Sequence, residues 1–369
     1  MEKMIKLANL LVNYSTEIKQ GEKVLIEAFD APSEFVAILV DEVFKAGGFP
    51  FVLQHNWLID KKMILNGTEE FHTARQKHKL ELMKDMDAYI GVRAKVNTFN
   101  LSDVPSEKMI LENKFFSDAI LAQRVDHTKW VILNYPTPAF AQNAGLPTDV
   151  FEKYYFDVCT FDYKKMQAPM EKLKALMDKT DKVHIKGTGT DLTFSIKGIG
   201  SVVCAGQSNI PDGEVFTAPV KDSVNGYITY TIPTVYDGKR FDNVYLEVEN
   251  GKIVKATSSN TKAMNEILDS DEGARYFGEF AIGVNPFVTI PMLDILFDEK
   301  MAKSFHLTPG ECYEEANNGN KSIVHWDLVC NQSEEYGGGE IYFDDVLIRK
   351  DGIFILPELE ELNFKNLLN

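Results

Sequence analysis

The chain has 369 residues, 44% of them hydrophobic and 25% charged, with a formal net charge of −16 from 55 acidic and 39 basic residues. That length exceeds one ordinary hydrophobic core and predicts two domains, while the composition excludes a disordered chain. The acidic balance argues against nucleic-acid and anionic-membrane binding, which need basic patches, and it suits a site that attracts cations or a substrate's free amino group.

The predicted elements begin with strand and helix in alternation. Val24-Leu25-Ile26, after the turn at Gly21, is a short apolar run of strand type. Ser33 is placed to cap a helix whose Phe35, Ile38, Leu39 and Val43 share a face, and Ala46-Gly47-Gly48 ends it. Phe51-Val52-Leu53, Ala88–Val92 and Trp130–Leu133 are further strands, separated by helical patterning. Short apolar strands alternating with helices imply a parallel sheet covered on both faces. From Lys164 to Lys179 a charged stretch carries Met166, Met170, Leu173, Leu176 and Met177 at helical spacing, with Pro169 weakening its first turn. The domain boundary is expected here, giving an N-terminal α/β domain over 1–175 and a C-terminal domain over 180–369.

Beyond that point the pattern turns to β. Lys182–Lys186 and Leu192–Ile196 alternate around a Gly-Thr-Gly-Thr-Asp turn, a hairpin signal. Strands follow at Tyr227–Ile232 and Val244–Val248, Asn250-Gly251 supplies a tight turn, and a helix spans about Asn260 to Asp269. The second domain is therefore expected to be mixed α+β. Cys159, Cys204, Cys312 and Cys330 are scattered without C-x-x-C pairing, so neither a disulfide framework nor a thiolate zinc site is expected. The N-terminus lacks the apolar run of a signal peptide, and no segment approaches the ~18 apolar residues of a membrane span. The expected location is the cytoplasm, with no membrane partner.

The chemistry-bearing residues concentrate in the second domain. Glu214 lies between a turn and an apolar strand, and Glu279 between Gly278 and an apolar stretch. His306, His325 and Asp327 are embedded among hydrophobic neighbours, where a charge is costly unless it is paired or bound to a metal. On a strand, His325 and Asp327 would project from one face and reach one ion. Two imidazoles and three carboxylates can hold two divalent ions about 3.5–4 Å apart, as in two-metal hydrolytic sites, and this donor set suits zinc, cobalt or manganese. Each residue alone also has an ordinary reading, as a hydrogen-bonded core histidine, a turn acid or half of an ion pair. His55, His72, His78, His127 and His184 have no companion ligands at useful spacing and read as structural or surface residues.

With these residues in place, the sequence resembles the metallo-aminopeptidase family of leucyl aminopeptidase and aminopeptidase T. The resemblance rests on Gly213–Pro219 with Lys221–Gly226, and on Gly278-Glu279 with Gly283 and Asn285-Pro286. Phe297–Lys300, His306-Leu307 with Gly310 and Tyr313, and Ser322 with His325-Trp326-Asp327 complete it. It implies two divalent metals held by Glu214, Glu279, His306, His325 and Asp327, with Glu299 a further acidic position. It also implies Tyr313 near the scissile carbonyl, Glu279 as bridging ligand or base, peptide substrates with free N-termini, and a homodimer. The run Thr308-Pro309-Gly310-Glu311-Cys312 departs from the family's small apolar segment and puts substrate preference in question. Two other readings compete. One is a mononuclear non-haem iron dioxygenase using His306, His325 and Asp327. The other is a metal-stabilised binding protein with impaired catalysis.

Overall fold

The computed structural model describes residues 1–368. Their contacts separate into two compact units, Met1–Phe161 with Gly206–Ile210, and Asp162–Ala205 with the chain from Pro211 onward. The helix Lys164–Met177 thus lies in the second unit, because Met166, Met170, Leu173 and Met177 are buried on one face of it and that face packs on strands Val202–Cys204 and Glu214–Thr217. Pro169 sits inside this helix; the burial of four large side chains outweighs the hydrogen bond its missing N–H forfeits.

The first unit is a doubly covered parallel sheet. Its strands are β1 (Lys23–Phe29), β2 (Phe49–His55), β3 (Ala88–Arg93) and β4 (Lys129–Asn134), in the spatial order β2-β1-β3-β4, and the short strand Asn209–Ile210 adds in parallel beside β4. Central β1 and β3 read as near-continuous apolar runs because both faces are buried. The helix after β1 runs Ser33–Lys45; Pro32 takes the N-cap position, so Ser33 is its first helical residue and makes no capping bond. Leu25, Met83, Met86, Tyr89 and Ile120 form a core cluster on the sheet. Within this unit the buried Glu27 accepts from Tyr89 Oη at 2.9 Å, bonds His55 Nε2 at 2.7 Å and is paired with Lys79. Its charge is matched, and His55 is a structural partner, as its isolation in the sequence implied.

The second unit holds two larger antiparallel sheets. One has eight strands, from Lys252–Thr257 at one edge to Ile353–Phe354 at the other, and includes the hairpin Lys182–Gly187/Thr190–Ser195. Asn250-Gly251, both at positive φ, makes the tight turn expected of that pair. The other sheet has five strands in sequential order: β5 (Val202–Cys204), β6 (Glu214–Thr217), β7 (Phe277–Gly283), β8 (Ser304–Pro309) and β9 (Val329–Asn331). The chain thus pairs a parallel α/β unit with a mixed, mainly antiparallel one.

Candidate metal centre

The five-stranded sheet brings distant residues onto one face. Side chains directly opposite in adjacent strands point the same way and alternate along each strand. Glu214 opens β6 opposite Gly283 of β7, two residues along the face from Ala281, which is opposite His306 of β8. Glu279 shares that face of β7, opposite Thr308. Residues separated by up to 92 positions in sequence therefore converge by pairing alone.

His325 and Asp327 arrive differently. Their segment precedes β9 and belongs to no strand; an isolated bridge between His325 and Gly310, and the Trp326 backbone N–H donating to the Pro309 carbonyl oxygen at 3.1 Å, tie it alongside β8. A buried anchor adds to this. Trp326, fully enclosed, packs against Tyr236, tilted, and Phe241, edge-to-face, with ring centroids 4.9 Å apart in each pair, and its indole N–H donates to Thr234 Oγ1 at 3.3 Å. Those partners belong to the small hairpin Thr234–Tyr236/Lys239–Phe241. With Trp326 fixed on one side, His325 and Asp327 meet on the other, Nε2 to Oδ1 at 3.3 Å. Gly310 sits at φ +109, and a Cβ there would lie 1.9 Å from the Val324 carbonyl oxygen, so the bridge requires glycine. Gly213, at φ +127, has the same role before Glu214, where a Cβ would press on Asn285 and Met166.

The donor atoms fall into two groups, Glu214/Glu279/His306 and Glu279/His325/Asp327, each with its atoms within 4.8 Å of one another. Glu279 belongs to both. Its Oε1 lies 3.2 Å from His306 Nε2 and its Oε2 lies 3.2 Å from His325 Nε2. Glu214 Oε2 is 3.7 Å from His306 Nε2, is buried, and accepts no hydrogen bond among the described residues. An orphaned carboxylate oxygen aimed at a histidine is a position an ion would satisfy. His325 Nδ1 bonds the Glu311 carbonyl oxygen at 2.9 Å, which leaves Nε2 as the ligand atom. Thr308 Oγ1 donates to Asp327 Oδ1 at 2.6 Å. The departure at 308–312 thus supports the ligands, and the Glu311 carboxylate pairs with Lys321 at 3.2 Å.

Glu299 enters neither donor group. It lies beside them, bonded to Lys300 Nζ at 2.7 Å. Lys300, almost wholly buried, also bonds Glu214 Oε1 at 2.5 Å and faces Asp212 at 3.6 Å. For Lys300 the local signal in the sequence is an Asp-Glu-Lys run closed in by Phe297 and Met301-Ala302; Asp212, before Gly213-Glu214, carries no comparable one. Tyr313 is half-exposed, its ring 4.9 Å from that of His325 and 5.5 Å from Phe216.

Electrostatics follow from burying this many acids together. Burial pushes Glu214 up to about 7, against the pull of Lys300 and His306. Burial also raises Glu279, but hydrogen bonds from His306 and His325 outweigh it and hold the group below its ordinary range. Burial alone would lower His306; Glu214, Glu279 and Asp327 reverse that and raise it to about 10. Glu299 is driven well upward, chiefly by burial. His325 lowers the Tyr313 phenol, yet burial and the carboxylates carry it above its usual value. Oxygen and imidazole donors without thiolate fit zinc, cobalt or manganese, and ion binding would require His306 to release its proton.

Comparison with known proteins places the chain in a family. The chain is 26% identical to aminopeptidase AmpS of Bacillus subtilis, over 89% of this chain and 88% of that one. Its fold matches that of wild-type AmpT from Thermus thermophilus with a TM-score of 0.81 at 22% identity, covering 96% of this chain and 99% of that one. The fold also matches 2,5-dihydroxypyridine dioxygenase from Pseudomonas putida with a TM-score of 0.62 at 13% identity, covering 97% and 98%. The fold by itself therefore does not choose between hydrolysis and oxygen chemistry. The model of the thermophilic metalloprotease (M29) family matches residues 1–354: the chain belongs to that family and is a peptidase, a metal-dependent hydrolase of peptide bonds.

Proposed function

We propose that this peptidase is an aminopeptidase with a dinuclear site, in which Glu214, Glu279 and His306 hold one divalent ion and Glu279, His325 and Asp327 the other. The observation that carries this reading is the division of Glu279, one oxygen toward each histidine. Charge supports it. Asp212, Glu214, Glu279, Glu299 and Asp327 bring five carboxylates against the single ammonium of Lys300, and two divalent cations with neutral imidazoles close that balance. The iron-dioxygenase alternative needs His306, His325 and Asp327 around one centre, and these fall into different donor groups.

Bound ions would supply Lewis-acid polarisation of the scissile carbonyl and an acidified water. The chain's own residues do the rest. Glu279, with one oxygen toward each donor group, would have both taken up as ligands, so proton transfer to the leaving amine falls to Glu299, outside both groups and held by Lys300. Tyr313, beside His325 with part of its ring exposed, donates a hydrogen bond to the carbonyl oxygen as it gains charge. The acidic surroundings favour a substrate ammonium and select free N-termini. Four cysteines unpaired with one another fit the expected cytoplasmic location, and the family resemblance supports a homodimer.

Metal content measured alongside turnover of aminoacyl anilides, with zinc, cobalt or manganese supplied, tests the reading. About two ions per chain and release of the N-terminal residue are expected. A single iron with oxygen-dependent chemistry would overturn it, as would tight metal binding with no hydrolysis.

A further inference from the structure

The sheet face that carries the ligands continues in one direction as an apolar strip. Cys204 of β5 is opposite Glu214, and Val202 is opposite Phe216, which is in turn opposite Ala281. By the alternation of β-strands these residues share the face of Glu214 and His306. Phe216, Ala281 and Ala316 form a buried cluster, and Ile199, Val202 and Cys204 pack against it while remaining partly exposed. The strip touches the site at two points: Cys204 beside Glu214, and Phe216 against Tyr313 at 5.5 Å. Before β6 the chain passes through Asp212, which faces Lys300 at 3.6 Å in a charged and buried corner.

From this asymmetry we infer that the strip Ile199–Val202–Cys204 seats the side chain of the substrate's N-terminal residue, and that Val202 limits its size. The inference rests on the aminopeptidase reading. A scissile carbonyl at the metal centre puts the first Cα one bond away, so its side chain must lie against a surface adjoining the ligands. On this sheet the adjoining surface that is both apolar and partly open is the β5 edge, next to Glu214 and Tyr313. The substrate class is then peptides with a medium apolar first residue, and polar or charged first residues gain nothing from the strip. Cys204 contributes a small apolar wall and takes no part as a ligand, since it enters neither donor group.

The test compares kcat/KM for leucyl, phenylalanyl and alanyl anilides in the metal-loaded full chain. Val202→Phe should lower the leucyl-to-alanyl ratio about tenfold or more, the scale on which an apolar pocket discriminates methylenes. Val202→Ala and Cys204→Ala, which remove atoms and do not crowd the fold, should raise the phenylalanyl-to-leucyl ratio severalfold, and they decide the matter if Val202→Phe fails to fold. Ratios unchanged in both alanine variants would overturn the inference while leaving the aminopeptidase reading intact. Absence of turnover on every aminoacyl substrate by the unmodified protein would overturn both.

Discussion

Each unit buries an ionisable cluster, and the two clusters solve the same problem in opposite ways. In the parallel unit, both carboxylate oxygens of Glu27 have partners: His55 and Lys79 at Oε1, Tyr89 at Oε2. Its pKa falls to about 2 despite burial, because hydrogen bonds and charges from His55 and Lys79 prevail. In the antiparallel unit the acids outnumber the cations, and Glu214 keeps an unpartnered oxygen. A buried charge without a partner costs several kcal/mol and persists where something else completes it. The closed cluster balances its own charge; the open one leaves acids in excess, and under the proposed reading divalent ions complete it.

The open cluster depends most on Glu279. Glu279→Gln should cut hydrolysis by at least ~10³-fold and reduce metal content below two ions per chain, because one side chain serves both groups; metal analysis and steady-state kinetics check this. A fully active variant with two ions would remove the bridge from the proposal. Glu299→Gln should lower kcat by about 10²–10⁴-fold while metal content is retained, the signature of a lost proton carrier. Loss of metal instead would make Glu299 a ligand.

Smaller effects sharpen the contrast. Raising the pH should weaken the closed cluster in a defined window. His55 is raised from 6.5 to about 9, since its bonds to Asp60 and Glu27 override burial, so its contribution is complete below 6.5 and is lost as pH rises through 9. Glu27, lowered from 4.5, contributes above 4.5 and loses that as pH falls toward 2. Native-state hydrogen exchange in β1 should therefore show a plateau between these limits and a loss of up to about 3 kcal/mol between pH 6.5 and 9. His55→Gln should flatten that alkaline limb. Chelation should act on the other unit: ions at ~100-fold above Kd stabilise by about 2.7 kcal/mol each, so exchange protection in β6–β8 should fall on their removal, with β1–β3 unmoved. Thr308→Val should weaken metal binding by about tenfold through Asp327, as is common when a group supporting a ligand is lost.

Much of the fold was legible along the chain. Apolar runs named β1 to β4, and alternation with Asn250-Gly251 named the hairpins, because these signals are local. Boundaries were less legible. The helix Lys164–Met177 belongs with the strands it packs on, and Asn209–Ile210 returns to the first sheet. Both depend on which surfaces meet, a property no window of sequence carries. At the site, Glu214, Glu279, His306, His325 and Asp327 stood out as polar groups in apolar surroundings, whereas Lys300 entered only as the end of the Phe297–Lys300 motif, with no role attached. Only burial reveals its three carboxylate neighbours.

What the amino-acid order determined by itself was a list of parts: periodicities that select strand or helix, glycines where the backbone must turn unusually, and five candidate ligands. Tertiary structure decided how those parts are related. Antiparallel pairing set Glu214, Glu279 and His306 side by side, and the packing of Trp326 aimed His325 and Asp327 at the same carboxylate. The physical reason is range. Backbone preference and amphipathic pattern act over a few residues, but coordination and charge balance act through space, between groups that only a folded sheet brings within 4.8 Å.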